Sequence, residues 1–169
     1  MKRLYRAAAE AGLIVVEGDI PSHESARYYH SHRVIVLRSG MSAVDTHTAL
    51  GHELGHAHHG HSCSQDAGTC RKQERQADEY AAQLLITPVE YREAERIYGH
   101  HVSGLALHLG VTPRIVRAWQ ELWLRKGTHG TAAVTPADQE GRAEEPRKGK
   151  ASRAIPAHCR HRYRSAHWP

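Results

Sequence analysis

His52-Glu53-Leu54-Gly55-His56 is the most informative stretch of this 169-residue chain. Two histidines four residues apart share one face of a helix, because 3.6 residues complete a turn. Their ring nitrogens can bind one zinc ion, and the glutamate between them can act on a water molecule. The chain holds 16 histidines, so the motif arises by chance about one time in ten, and its context must decide.

The residues around this motif predict one helix. Ser42-Ala43-Val44-Asp45 resembles a Ser-x-x-Glu capping box, so we predict a helix from about Ser42 to about His59 that Gly60 ends. Leu50 and Leu54 fall roughly opposite the histidines. The histidines could therefore lie on the solvated face of an amphipathic helix, and this helix alone does not establish a site.

The histidines that follow the motif do not complete a three-histidine site. The pattern His-Glu-x-x-His-x-x-Gly-x-x-His needs glycine at position 59 and histidine at position 62, where this chain has His59 and Ser62. We interpret His58, His59 and His61 as helix-end residues, where positive character is favoured. The alternative is that they contact the ligand histidines.

The next predicted helix, Lys72–Ile86, offers a better third ligand. Glu74 and Asp78 lie four residues apart on a face that also carries Ala77 and Ala81. Buried carboxylates are costly unless they are paired or bind a metal. We therefore predict that Glu74 is the third zinc ligand and that Asp78 accepts a hydrogen bond from a ligand histidine. The alternative is an exposed Glu74 paired with a neighbouring arginine.

These two motifs together carry a family resemblance over about residues 10–125. The segment from Val34–Leu37 through the His-Glu-Leu-Gly-His helix to Glu74–Pro88 resembles the ImmA/IrrE family of zinc metallopeptidases. That family pairs His-Glu-x-x-His with a later Glu-x-x-Ala-(Asp/Asn)-x-(Phe/Tyr)-Ala-Ala-x-Leu-Leu-x-x-Pro. Tyr80 stands here for the commoner Phe, and Thr87 stands where Met is frequent.

The resemblance implies a site, a cofactor and a substrate class. It implies one zinc ion with His52, His56 and Glu74 as ligands and Glu53 as the catalytic base. It also implies that the substrates are helix-turn-helix repressors of mobile elements or stress genes, cleaved inside the cell. A donor for the developing oxyanion should complete such a site. The candidates are Tyr80 and His59, followed by His47 and the Tyr28/Tyr29 pair, and the sequence does not choose among them.

A second candidate activity lies in residues 105–119, which read as helix, turn and helix. Gly110 can make the turn, Thr112 can cap the second helix, and Pro113 can open it. Arg114 and Arg117 would then project toward DNA phosphates or bases. A packing role for this unit is the favoured interpretation, because residues 1–126 lack the basic excess of a DNA reader.

The predicted fold is α+β. Leu13–Val16, Ala26–His30 and Val34–Leu37 predict a small antiparallel sheet of about three strands, packed on a zincin helix bundle. We divide the chain into a metallopeptidase core (residues 1–98), a helix-turn-helix-like extension (99–126) and a disordered basic tail (127–169). The net charge is +5, and the tail, with eight Lys/Arg against four Asp/Glu, carries most of it.

The composition favours a cytoplasmic protein without membrane segments. The apolar run near the N-terminus is too short for a signal peptide or a bilayer span. Cys63, Cys70 and Cys159 do not form a disulfide framework. Cys63 and Cys70 could be a redox-sensitive pair, although ordinary reduced thiols are the favoured interpretation.

Three functions compete at this point. The first is a zinc endopeptidase that acts on a repressor. The second is a DNA-binding regulator with a structural zinc site, and the third is a non-catalytic protein that binds a repressor. Three ligands leave one coordination position open, whereas a structural zinc site is normally closed by four protein ligands. The sequence therefore favours the endopeptidase.

Overall fold

The computed structural model describes residues 2–62 and 66–129. Its helices and strands, in chain order, are α1 (Lys2–Glu10), β1 (Ile14–Gly18), β2 (Ala26–Tyr29), a 3-10 turn (His30–His32), β3 (Val34–Arg38), α2 (Ala43–His58), α3 (Ala67–Leu85), α4 (Pro88–Tyr98), α5 (Val102–Leu109) and α6 (Pro113–His129). The predicted α+β class with a small three-stranded sheet is confirmed. In the described ranges, no helix is both long enough and apolar enough to cross a membrane.

The sheet is mixed, so the predicted purely antiparallel arrangement is wrong. Its strand order is β1-β3-β2, with β1 parallel and β2 antiparallel to β3. The segment between β1 and β2 spans the end of β3, where Arg38 and Ser39 donate backbone hydrogen bonds to Ser25 and Gly18. This crossing leaves the central place to β3, whose Ile35 and Leu37 are fully buried. A continuous apolar run rich in β-branched residues suits such a strand, which is buried on both faces.

Helix α2 begins and ends where the sequence predicts. The Ser42 hydroxyl accepts a hydrogen bond from the Asp45 backbone N–H at 3.1 Å, and Gly60 turns the chain with φ 61°. Every residue from 49 to 56 is buried. A solvated histidine face is therefore excluded, because both apolar and polar faces of this segment are covered by other elements.

Helix α3 begins five residues earlier than the predicted Lys72. The Asp66 carboxylate caps it by accepting a hydrogen bond from the Thr69 backbone N–H at 2.6 Å. Cys70 is consequently buried in the first turn of α3. Cys63 and Cys159 lie outside the described residues, so their predicted roles stay predictions.

Helices α2 and α3 pack closely because small residues meet at their crossing. A Cβ atom built on Gly55 would lie 2.7 Å from both the Cα and the carbonyl oxygen of Ala77. Real Cβ atoms do not approach backbone that closely, so only glycine fits at position 55. This approach brings the motif helix against the face of α3 that carries Glu74.

The C-terminal helices share one core with α3. This core extends across α3, α4, α5 and α6, and it contains Ile86, Ala94, Leu105, Val116 and Trp119. The predicted boundary between residues 98 and 99 thus passes through a continuous packed cluster. Helix α6 runs three residues past the predicted end of the extension. The tail from residue 130 onward lies outside the described residues.

The predicted caps of these helices differ in outcome. Thr87 and Glu90 form both hydrogen bonds of a capping box at the start of α4, with Pro88 in the first turn. Gly110 makes the predicted turn with φ 63°. The Thr112 side chain is not the predicted cap, because its buried hydroxyl has no hydrogen-bond partner among the described residues. Its backbone carbonyl instead accepts from Ile115 and Val116.

Candidate metal centre

Three side chains of α2 and α3 converge on one point. His52 Nε2 lies 3.1 Å from His56 Nε2 and 3.3 Å from a Glu74 carboxylate oxygen, and His56 Nε2 lies 3.4 Å from the other oxygen. Ligand atoms about 2.0–2.1 Å from a tetrahedral zinc ion are separated by about 3.3 Å. The three residues present therefore fit a zinc ion in both donor type and spacing, and they form a group that could hold a metal.

Burial makes this arrangement costly without a cation. His52, His56 and Glu74 are at most 9% exposed. Converging acceptor atoms that water does not solvate repel one another unless a positive charge lies between them. Burial lowers the pKa of His52, but its hydrogen bonds to Asp78 and Glu74 outweigh that effect and raise the pKa overall. The neighbouring carboxylates thus favour positive charge on His52.

Asp78 contacts the His52 ring nitrogen that faces away from Glu74. Its carboxylate lies 2.8 Å from His52 Nδ1, so this nitrogen carries the proton and Nε2 faces Glu74. Burial raises the pKa of Asp78. The hydrogen bond and charge of His52, together with the Arg114 guanidinium, outweigh burial, so the pKa of Asp78 is lowered overall. The structure therefore places Asp78 against His52, one of the two predicted ligand histidines.

His61 contacts the His56 ring nitrogen that faces away from Glu74. For His61 this contact was only the alternative interpretation of the sequence. The Nδ1 atoms of the two rings lie 3.0 Å apart, and His61 Nε2 lies 3.3 Å from the Gln76 side-chain oxygen. Burial lowers the pKa of His61 to about 4, and the neighbouring His56 adds to this effect. Gly60 could have indicated this contact in the sequence, because its turn brings the chain back over α2.

Glu53 lies beside the three converging side chains and is 2% exposed. Its carboxylate accepts a hydrogen bond from the Tyr28 backbone N–H at 3.0 Å, so the edge strand β2 fixes its position. A cavity of about 340 Å³ opens onto this group. Its polar lining comprises His23, Glu24, Ser25, Asp45, Thr48, His52, Glu53, Glu74, Asp78, Thr112 and Arg114.

Arg114 belongs to this cavity. Its guanidinium donates to Asp78 at 2.7 Å and to Glu74 at 3.4 Å, and its side chain is half exposed. From the sequence, Arg114 and Arg117 were possible nucleic-acid contacts, and a packing role for their helix was favoured. No local pattern could reveal the observed pairing, because it depends on α6 packing against α3. Arg117 is exposed and lines a neighbouring cavity with Arg75, Glu79 and Glu121.

The predicted oxyanion donors lie elsewhere. Tyr80 stacks on His58 with ring centroids 4.4 Å apart, and both line a separate cavity together with His59. The rings of Tyr28 and Tyr29 pack edge-on against His30 and His32. His47 is not part of the cavity lining either. The structure thus brings no predicted oxyanion side chain to the cavity; His23, Thr48, Thr112 and Arg114 occupy its wall instead.

The comparisons with known proteins agree with this geometry. The model of peptidase family M78, described as the IrrE N-terminal-like domain, matches residues 8–118. This match covers the sheet, the motif helix, the Glu74 helix and most of the C-terminal helical unit. Among curated proteins, none matches the chain. The chain therefore belongs to the M78 family of peptidases, whose members are typically zinc-dependent.

Proposed function

We propose that this protein is a zinc-dependent endopeptidase that acts in the cytoplasm on a helix-turn-helix repressor of a mobile element or stress regulon. One observation carries the peptidase proposal. Glu53 lines the same cavity as His52 and Glu74, which converge with His56, and a backbone hydrogen bond holds its carboxylate. The repressor as substrate follows from the family resemblance and needs a test of its own.

The proposed chemistry divides among a few groups. A zinc ion held by His52, His56 and Glu74 would polarise the scissile carbonyl and lower the pKa of a water molecule. Glu53 accepts the proton of that water and delivers it to the leaving amine. The Tyr28 N–H donates to one carboxylate oxygen of Glu53 and so holds this carboxylate at the cavity wall.

Asp78 and Arg114 support the ligands. Asp78 fixes His52 in the tautomer that presents Nε2 to the metal. Arg114 donates to both Asp78 and Glu74, so its positive charge compensates two carboxylates that are otherwise close together. Because these ion pairs occupy the Arg114 guanidinium, nothing within residues 2–62 and 66–129 favours the DNA-binding alternative over the peptidase.

Co-expression tests the proposal. The full chain and its Glu53→Gln variant are each produced together with a helix-turn-helix repressor encoded beside the gene, and the repressor is examined by intact mass spectrometry. We expect a cut repressor with the wild type only, because a neutral amide at position 53 cannot accept the proton of the water. Zinc content and circular dichroism of the variant serve as the control, and both should match the wild type.

Two outcomes would contradict the proposal in different ways. Equal cleavage by Glu53→Gln would show that Glu53 is not the base. Stoichiometric binding of an intact repressor by both forms would support the non-catalytic alternative.

A further inference from the structure

His61 occupies a defined position behind the metal centre. Gly60, with φ 61°, reverses the chain after α2, and the His61 backbone N–H donates to the His56 carbonyl at 2.9 Å. The ring is thereby folded back beneath His56, and the residue is only 7% exposed. Its neighbours His58 and His59 are exposed, so burial distinguishes His61 within the histidine-rich segment.

The contacts of this ring define a directed chain of hydrogen bonds. His56 Nε2 faces His52 and Glu74, so His56 must carry its proton on Nδ1 when Nε2 binds a metal. That proton points at His61 Nδ1, 3.0 Å away, which must then accept it. His61 in turn carries its proton on Nε2, 3.3 Å from the Gln76 side-chain oxygen. Every donor along this path meets one acceptor.

The two ligand histidines are therefore supported by different chemistry. His52 donates to the carboxylate of Asp78, whereas His56 donates to a second imidazole. A neutral imidazole satisfies the His56 proton without adding charge to a site that already contains Glu53, Glu74 and Asp78. Packing alone would not require this arrangement, because an apolar side chain could fill the same space but could not accept the hydrogen bond.

We propose that His61 is a positioning residue for the metal centre: with Gln76, it fixes the tautomer and orientation of ligand His56. This inference rests on the proposed zinc site. It assigns the histidine a role in holding the metal without making it a ligand. Outer partners of ligand histidines typically contribute 10–100-fold to metal affinity, so an effect of about that size is expected here.

Zinc affinity separates positioning from packing. The full-length wild type, His61→Leu and His61→Asn are titrated with zinc against a chelating indicator, and the visible spectra of their Co²⁺ forms are recorded. His61→Leu fills the space without an acceptor, so we expect zinc to bind about 10–100-fold more weakly and the Co²⁺ spectrum to change. Asn places an amide oxygen near the former Nδ1, so it should restore most of the affinity and the spectrum.

Two further variants complete the design. His58→Leu alters an exposed histidine of the same segment and should leave both readouts unchanged. Gln76→Leu removes the last acceptor and should weaken zinc binding by a smaller factor. If His61→Leu fails to fold, His61→Asn and Gln76→Leu still decide the matter through the same titration.

The results distinguish this inference from the proposed function. A wild type that binds no zinc would overturn the zinc site itself. A wild type that binds zinc while His61→Leu binds equally well, with the same Co²⁺ spectrum, would overturn only the role of His61. Equal losses in folded His61→Leu and His61→Asn would also overturn it, because packing would then be the cause.

Discussion

At the scale of single residues, His52 and His56 each turn one ring nitrogen toward Glu74 and the other toward a fixed partner. Asp78 takes this role for His52 and is itself held by Arg114. The pair of His52 with Asp78 is mostly buried, so solvent screens it less than it screens surface pairs, whereas Arg114 is half exposed. Asp78 should therefore influence both zinc affinity and the response of the fold to pH.

Replacing Asp78 with Asn tests this role in two measurements. Zinc affinity should fall about tenfold or more, because the charged acceptor of His52 is lost. The pKa of Asp78 is lowered in the fold from its ordinary 3.8, so its contribution to stability is present above that value and disappears as pH falls through the folded-state pKa. Urea unfolding of the metal-free proteins should show wild type more stable than the variant at pH 7, with the difference shrinking toward pH 3.

Glu93→Gln is the matched control, because Glu93 is exposed on α4. It should change neither zinc affinity nor the pH response. A stability difference between wild type and Asp78→Asn that stays constant from pH 7 to pH 3 would contradict the assigned ion pairs.

At the scale of elements, the site depends on how closely α2 approaches α3. Gly55 permits this approach, since a Cβ at that position would collide with the backbone of Ala77. Gly51 lies one turn earlier and meets mainly side-chain atoms, with Ala81 Cβ and Leu85 Cδ1 at 3.3 Å. The same crossing that packs the core therefore sets the separation between the histidines and Glu74.

Gly55→Ala and Gly51→Ala should differ in effect. The first forces two helices apart and should destabilise the protein by about 1–3 kcal/mol, with weaker zinc binding because Glu74 moves away. The second needs a shift of a few tenths of an ångström, and alanine favours a helix by up to about 1 kcal/mol over glycine, so its effect should be near neutral. Thermal unfolding and zinc titration measure both. Equal stability of the two variants would contradict the described helix contact.

At the scale of the whole molecule, the C-terminal helices complete the site as well as the core. Arg114 reaches Glu74 and Asp78 from α6, and buried side chains of α5 and α6 share one core with Ala81 of α3 and with Ile86, which follows it. The helix-turn-helix-like unit thus acts here as a structural part of the peptidase fold. This agrees with the packing interpretation that the sequence favoured.

Truncated chains test whether the C-terminal helices are needed for the fold and for zinc binding. Residues 1–98 alone would expose the apolar face of α3 and lose Arg114, so we expect no cooperative unfolding transition and no tight zinc binding. Residues 1–129 keep every described element and should retain both. Zinc binding by residues 1–98 with the affinity of the full chain would show that the predicted boundary is a true domain boundary.

Local patterns predicted much of this molecule, and contacts distant in sequence account for the rest. The capping of α2, the helical spacing of His52 and His56, and the inward face carrying Glu74 follow from helix geometry. The parallel pairing of β1 with β3 depends on a chain crossing that no strand pattern reveals. The pairing of Arg114 with Asp78 joins residues 36 positions apart. The Asp66 cap of α3 could have been recognised from the sequence, although the predicted helix began only at Lys72.

The central claim is that His52, His56 and Glu74 bind one zinc ion. The most direct measurement is the zinc bound per chain at equilibrium in the purified, metal-replete protein and in its Glu74→Ala and Glu53→Gln variants. We predict one zinc per chain in the wild type and in Glu53→Gln, and a large loss in folded Glu74→Ala, which lacks the only carboxylate among the three ligands. Undiminished zinc in Glu74→Ala, or none in the wild type, would contradict the account.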